Sequence, residues 1–574
     1  MTAIGAALVA FFIYIYAYRR YGGFLSSTVF QIRSEQITPA HTLRDDVDFV
    51  PTKRSVLFGH HFASITGLAP MLGPAVAVIW GWLPALVWVV FGSVLIGCVH
   101  DFSALVVSLR AEGKSIGVVA EGIMGRRAKT LFLFIILFGV ALAMGVFVFV
   151  IAQLFSTKLT PQKAGYPQAA LPSLNIMVLA VLIGWLSFRK GYSVRKLVAF
   201  AFPITLASVF AGMQWPTFGL AESLWPSPLT WIALLLVYAL AASILPVWSL
   251  LQPRDFLNSL LLYLGLLLCY LGFFLSAPEF QAPAVRFSPQ GAPPLFPFVF
   301  IIIACGAVSG FHGLVSSGTT SKQLDKAEDA KAITYGGMIG ESLLGLLAVF
   351  ACTCGFPDSQ SWAKHYANWN SAQSLATKLD AFIQGSASFL NSVGIPTALG
   401  ATFMAVIVVS FALTTLDSAT RLLRYNIEEL AKNFGFRSLQ NRFASSSFAV
   451  FIIGAFALYK VDGKPAALAL WELFGTTNQL LAGLTLVTVT LYLKQRKLPI
   501  IYTLVPAIVM MMTTLVAMTE KLLEFWQGQK LLLFVVGGIL LVFALWILVE
   551  GCLAWFRKSD QDRNLSLDVF EKSS

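Results

Sequence analysis

"FGHHFASITGLAPMLGP", residues 58–74, lies inside an apolar run long enough to cross a bilayer. It sets two adjacent histidines, His60 and His61, ahead of Gly67, Pro70, Gly73 and Pro74. Hydrocarbon offers no partner to a backbone N–H or C=O freed by a helix break, and each such group costs several kcal/mol. A span that breaks here therefore implies a place buried in protein or lined by a polar cavity. A half-helix that restarts there aims its unpaired N–H groups and positive end inward, which suits an anionic passenger.

The rest of the chain sets the context. Of 574 residues, 57% are apolar and 12% charged, a balance that excludes a soluble domain and reads as a polytopic membrane protein. Apolar runs of suitable length fall near 3–18, 58–80, 84–109, 129–156, 174–188, 193–212, 229–247, 257–276, 296–317, 332–355, 396–417, 444–459, 468–493, 499–518 and 531–556. The expected fold class is thus an all-α polytopic membrane protein of about 15 transmembrane helices. It reads as one integral membrane domain over 1–574, with a core of about 56–500. An N-terminal anchor and cytoplasmic segment precede the core at 1–55, and extra helices and a tail follow it at 501–574. The first run has neither a basic leader nor an A-x-A cleavage site, so it is expected to be a retained anchor.

Charge orients the spans. If the first run exits into the cytoplasm at Arg19-Arg20, alternate loops hold 31 of the 40 Lys and Arg and the opposite loops hold 9. That asymmetry places the N-terminus outside and the C-terminus in the cytoplasm. It also explains the net charge of +12 by short basic loops facing anionic lipid, with no nucleic-acid partner. The six cysteines fall in apolar segments with no disulfide pattern, and Cys352 and Cys354 read as small helix fillers. The longest connections are 24–55 and 356–395; the second lies outside by the charge count and reads as a solvated loop, with a lid over an external entrance as the alternative. Residues 421–436 carry Leu423, Ile427, Leu430 and Phe434 on one stripe, as in a helix lying in the cytoplasmic interface.

An internal echo links Gly59-His60-His61 through Thr66-Gly67 with Gly310-Phe311-His312 through Ser317-Gly318, both G-x-H-x-x-x-x-[ST]-G. The two lie seven spans apart in oppositely directed runs, as an inverted repeat requires. Ionisable groups inside spans cost roughly 2.5–3.5 kcal/mol for a central Asp or Lys, so they tend to face a cavity and to work there. His60, His61, His100, His312, Asp101, Glu341 and Asp417 are such groups. The proton-coupling candidates are His61, Asp101, His312, Glu341 and Asp417. Glu341, in "YGGMIGESLLG", has no Lys or Arg within a turn, and Gly336, Gly337 and Gly340 let another helix come close. Asp417 has Arg421 at i+4 as its expected ion-pair partner. Asn478 and Gln479, within "FGTTNQLLAG", either join helices or line a pathway.

Together, "LFGHHFASITGLAPMLGP", "HDFSALVVSLRAEGKSIG", "SGFHGLVSSGTTSKQ", "YGGMIGESLLG", "FALTTLDSATR" and "LWELFGTTNQLLA" resemble the carbon starvation protein A (CstA) family over about residues 50–500. That family comprises bacterial inner-membrane transporters of pyruvate and peptides. The resemblance implies a LeuT-like core of the amino acid–polyamine–organocation superfamily, with discontinuous helices at 59–74 and 306–320 forming the substrate and ion site. On that basis the substrate-binding candidates are His61, Ser64, Thr66, Gly67, Gly73, His312, Ser316, Ser317, Gly318, Thr319, Asn478 and Gln479. The implied activity is uptake of pyruvate or short peptides during carbon starvation by proton symport, with Na⁺-coupled uptake of an amino acid or organic acid as the alternative. The expected partners are a small carboxylate or peptide substrate and the lipid bilayer. No enzyme activity, metal or cofactor is expected beyond the coupling ion. A more distant alternative is a redox protein with haem held by His100 and His312, although no C-x-x-C-H occurs.

Overall fold

Long runs of Leu, Val, Ile, Phe and Ala form the long helices, even across Pro203 and Pro506, and their outward faces stay apolar. Phe12, Val178, Phe200 and Phe451 are among the large exposed side chains, as expected where lipid is the solvent. The computed structural model describes residues 2–160, 163–461, 464–466 and 470–557. The part of the expected tail at 558–574 lies outside these residues.

The helices used below are α1 (Ala3–Tyr16), α2 (Arg54–Ile65), α3 (Ala69–Ala77), α4 (Cys98–Arg110), α5 (Arg126–Phe155), α6 (Ala170–Lys190), α7 (Val194–Gln214), α8 (Pro228–Ile244) and α9 (Leu251–Ser276). They continue with α10 (Leu295–Ile302), α11 (Gly310–Gly318), α12 (Gly336–Cys354), α13 (Leu375–Ser392), α14 (Thr397–Phe434), α15 (Arg442–Leu458), α16 (Trp471–Gln495), α17 (Ile501–Gln527) and α18 (Leu531–Phe556). Among the described residues, ten helices are long and apolar enough to span a bilayer, eleven with the bent pair α2 and α3. The expectation of about 15 spans is therefore not reached by that measure. Helices α8 and α15 have only 17 residues each, and the run 296–317 is divided into two short helices.

Both expected breaks exist, and both are shorter than the sequence reading made them. Helix α2 ends at Ile65 and α3 starts at Ala69, bent by 46°. Pro70, Gly73 and Pro74 are inside the second half: Pro70 is in its first turn, where a proline gives up an N–H that has no intrahelical acceptor, and Pro74 stands in its interior. The second break spans 303–309, between α10 and α11, and Gly310–Gly318 is helical. Gly306 in this break has φ +88°, a conformation that favours glycine.

Contacts fix the direction of both broken helices. The chain before α2 pairs with the chain after α11, through a Thr52–Leu324 bridge and Val50 N–H donating to the Lys322 carbonyl. The end of α3 meets the chain before α10, where Trp82 N–H donates to Pro283 O and Arg286 N–H to Trp80 O. The two discontinuous helices therefore run antiparallel side by side, as an inverted repeat requires. The G-x-H echo does not follow that inversion. An inverted repeat relates first half to first half, whereas His61 precedes its break and His312 follows its own.

Two further expectations change. Residues 356–395 are not an open loop: they form helices Ser359–His365, Trp369–Gln373 and α13, and the Tyr366 hydroxyl donates to the Ala75 carbonyl. Residues 421–436 form no separate interfacial helix: as far as Phe434 they continue the 38-residue α14, with Leu423, Ile427 and Leu430 buried and Phe434 exposed. All six cysteines are free, and only Cys552 is exposed.

Candidate functional site

The two breaks meet at a cavity of about 30 Å³, lined by Gly67 and Ala69 from the first and by Cys305 and Phe311 from the second. Helices α5, α14 and α16 complete its wall with Met144, Phe147, Thr415 and Asn478. By volume it holds about two water molecules. Helices α3 and α11 both begin at this cavity, so two positive helix ends converge on it. Close packing depends on missing side chains: a Cβ on Gly73 would stand 2.6 Å from the Ile302 carbonyl, and one on Gly67 would stand 2.9 Å from Thr415 Oγ1.

The freed backbone of the second break is satisfied by α16. Asn478 Oδ1 accepts from Phe311 N–H at 3.0 Å, and its Nδ2 donates to Ser309 Oγ at 3.0 Å. Gln479 Nε2 donates to the Phe300 and Val308 carbonyls at 2.9 and 3.1 Å. Asn478 thus both joins helices and lines the cavity, whereas Gln479 braces the backbone behind it.

Beside the cavity runs a line of buried titratable groups. His100 Nδ1 lies 2.8 Å from Asp101 Oδ1, and His312 Nδ1 lies 3.0 Å from Asp101 Oδ2. His312 Nε2 is 3.1 Å from Glu341 Oε2, an ion-pair distance whose angles fall outside hydrogen-bond geometry. All four side chains have no solvent exposure. Glu341 is therefore not the isolated acid of the sequence reading, because α11 brings His312 to it. Gly337 and Gly340 do allow a close approach, their added Cβ atoms standing 2.9 Å from His61 and from Phe62 of α2. His61 Nδ1 is 2.8 Å from Thr320 Oγ1, and its Nε2 has no hydrogen-bond partner.

Ligand atoms of Cys305, His312 and Glu341 lie within 4.8 Å of one another, so these three are the residues placed to hold a metal ion. Nothing supports the haem alternative: His100 and His312 are tied to one carboxylate, Asp101, through their Nδ1 atoms.

The other candidates lie around this centre. Ser64 Oγ meets Ser418 Oγ of α14 at 2.8 Å, and Thr66 Oγ1 is buried without a hydrogen-bond partner. Ser317 donates to Gly313 O and accepts from Ile116 N–H, while Thr319 donates to Val315 O. Ser316 Oγ is buried without a partner, and a Cβ on Gly318 would stand 2.3 Å from Leu422 Cδ2. Ser316, Ser317 and Gly318 of α11 and Thr319 just after it are not among those lining the cavity; they pack toward the end where Lys322 lies.

Asp417 is the clearest correction. Its partners are Arg254 and Tyr238, whose hydroxyl donates to Asp417 Oδ2 at 2.5 Å, and not Arg421. Arg421 Nη1 reaches Asp48 at 2.6 Å, because one helical turn along α14 carries it past α8 to the loop before α2. Arg254 also donates to Asp255 Oδ1 at 2.5 Å, and Asp255 Oδ2 lies 2.6 Å from His60 Nδ1. His60 Nε2 in turn meets Gln323, which accepts from Gln252. A buried polar web thus ties α2 to α8, α9, α14 and the chain after α11. Arg254, Asp255, Tyr238, Gln323 and Cys305 were not singled out from sequence. The signal for the first two was present: a Pro-Arg-Asp triplet stands just before the apolar run read from 257.

Comparison with known proteins now has a site to refer to. The family model described as "Carbon starvation protein CstA" matches residues 2–359 and 355–517. The chain belongs to the CstA family. It is 33% identical over 549 residues to the peptide transporter CstA of Mycobacterium tuberculosis, covering 85% of this chain and 71% of the relative. It is 32% identical over 582 residues to the peptide transporter CstA of Escherichia coli, covering 91% and 81%. The pyruvate/proton symporter BtsT of Escherichia coli is 30% identical to it over 600 residues, covering 91% and 82%. Among solved structures, a manganese transporter of Eremococcus coleocola is 14% identical with a TM-score of 0.43, covering 89% of this chain and 99% of its own. MhsT in complex with L-phenylalanine is 13% identical with a TM-score of 0.34, covering 87% and 99%.

Proposed function

We propose that this CstA-family chain is a secondary active transporter, a proton symporter that takes up a small carboxylate such as pyruvate, or a short peptide, across the bacterial inner membrane. One observation carries the reading: the buried line His100–Asp101–His312–Glu341 abuts the cavity where the two discontinuous helices meet, with Cys305 common to both. A carboxylate is common to pyruvate and to peptides. The converging positive ends of α3 and α11 suit that group. A proton taken up by the Asp101–His312–Glu341 line compensates the substrate's charge in the low-dielectric interior. Alternating access then exposes the cavity to one side at a time, and the web at His60, Arg254 and Asp417 closes the cytoplasmic side. The basic-loop asymmetry supports an external N-terminus and a cytoplasmic C-terminus. The names of the relatives, peptide transporter and pyruvate/proton symporter, agree with this reading.

The test is uptake of labelled pyruvate, and separately of a labelled dipeptide, by proteoliposomes under an inward-directed proton gradient. Accumulation that collapses with a protonophore supports the proposal. Accumulation indifferent to the protonophore refutes the coupling, and accumulation that requires Na⁺ in its place favours the Na⁺ alternative.

A further inference from the structure

Away from the transport site, a groove of about 930 Å³ runs between α1, α2, α9 and α12. Its walls are apolar and aromatic, with Phe11, Ile15, Phe58, Phe256, Ile339 and Leu343 among them. One end carries Arg19, Arg54 and Arg195. The direction of each helix places all three together: α1 leads from Phe11 toward Arg19, while α2 leads away from Arg54, α7 starts beside Arg195, and α12 runs from Gly336 away to Leu343.

The dimensions match one membrane leaflet. At 1.5 Å per residue, Phe11 to Arg19 covers about 12 Å, and Gly336 to Leu343 about 10 Å. Half of a hydrocarbon core is about 15 Å. The groove is thus apolar over the depth of a leaflet and cationic where that leaflet meets water.

Of the three arginines at its mouth, Arg54 is ion-paired. Arg54, exposed over 59% of its side chain, is 3.4 Å from Asp329. Arg195 donates to Ser55 Oγ at 3.2 and 3.0 Å, which leaves its charge unbalanced. Lys331 adds a fourth cation nearby, 4.9 Å over the Tyr18 ring. Planar guanidinium forks match phosphate oxygens bidentately.

We propose that this groove binds an anionic phospholipid of the inner leaflet, its acyl chain along Phe11, Phe58 and Leu343 and its headgroup phosphate between Arg19, Arg54 and Arg195. The site adjoins the transport core: Phe58 is one turn before His61 on α2, and Gly336 opens the α12 run that carries Glu341. A lipid seated there braces α1 against the first discontinuous helix.

The test uses the full-length protein purified in detergent and examined by native mass spectrometry. Phosphatidylglycerol, phosphatidylcholine with the same acyl chains, and inorganic phosphate are each added. The wild type is expected to retain phosphatidylglycerol in preference to phosphatidylcholine, undisturbed by phosphate. The Arg19→Gln/Arg54→Gln/Arg195→Gln variant should lose that preference by roughly fivefold per arginine removed. The corresponding triple Lys variant should keep most of it, and Arg195→Gln alone, at an exposed position, gives the single-step loss if the triple variant does not fold. Equal retention of both lipids by the wild type would overturn the proposal. So would an unchanged preference in the Gln variants, displacement by free phosphate, or a dimer that forms in place of lipid binding.

Discussion

Asp101 on α4 and His312 on α11 meet at 3.0 Å with neither side chain exposed, so the second discontinuous helix is held to its neighbour by a titratable pair. The same carboxylate holds His100 through its other oxygen. Removing its charge while keeping its shape tests what the pair does. Asp101→Asn is expected to lower gradient-driven uptake at least about tenfold while substrate counterflow, which needs no net proton movement, survives. Equal loss of both activities would mark Asp101 as structural.

Glu341 stands at the far end of this line, 3.1 Å from His312 Nε2. Glu341→Gln is expected to flatten the pH dependence of uptake. If the coupling ion is a proton and no metal sits at Cys305, His312 and Glu341, then Cys305→Ser and a metal chelator should each change the uptake rate by less than about twofold. A chelator-sensitive rate in the wild type would argue for metal.

The Arg254–Asp417 contact is buried on both sides. Breaking one partner of such a pair typically costs about 3–5 kcal/mol, because the other charge is left without compensation. Arg254→Met should therefore lower the thermal midpoint sharply. A double-mutant cycle of Arg254→Gln with Asp417→Asn should give a coupling energy of about 0.5–3 kcal/mol, and the cycle of Arg421→Gln with Asp417→Asn a value near zero. The reverse ranking would restore the helical i+4 pairing.

Asp48 lies outside the membrane spans, between Arg421 at 2.6 Å and Arg424 at 3.0 Å. Burial raises its carboxyl, but the two guanidiniums outweigh this and hold it well below the usual carboxylate range. A depressed folded-state value contributes stability above the unfolded carboxylate's pKa of about 4, and that stability is lost as pH falls toward the folded value. Thermal midpoints should thus decline below about pH 4 in the wild type. Asp48→Asn should be destabilised at pH 7 and lose part of that decline; an identical pH profile in both would refute the assignment.

Gly73 and Gly310 mark where the broken helices touch their neighbours. A Cβ on Gly310 would stand 2.3 Å from the Asn478 carbonyl and 2.6 Å from the Ala482 amide nitrogen, backbone atoms that cannot rotate away. Gly310→Ala and Gly73→Val are each expected to abolish uptake, with a lowered thermal midpoint as evidence of overpacking. Full activity in either would mean that the two halves do not pack this closely in the working protein.

Much of the architecture was legible along the chain because its causes are local. Apolar runs set the long helices, and the glycines and prolines of 67–74 and the glycines of 305–320 announced both breaks, since lipid forbids unpaired backbone and the chain must house it in protein. The first break proved narrower, at 66–68, because proline in a first turn starts a helix as readily as it ends one, and the second, at 303–309, ends where Gly310 opens a helix without proline. Buried titratable residues could be named one by one from their positions inside spans. Which of them touch was decided only by tertiary structure. Asp417 has its sequence neighbour Arg421 one turn away, yet the packing of α8 and α9 delivers Arg254 and Tyr238 to it and sends Arg421 to Asp48. His312 and Glu341, 29 positions apart on α11 and α12, meet through their side chains. Sequence spacing governs partners on one helix, whereas between helices the partner is chosen by packing, to which no local pattern points.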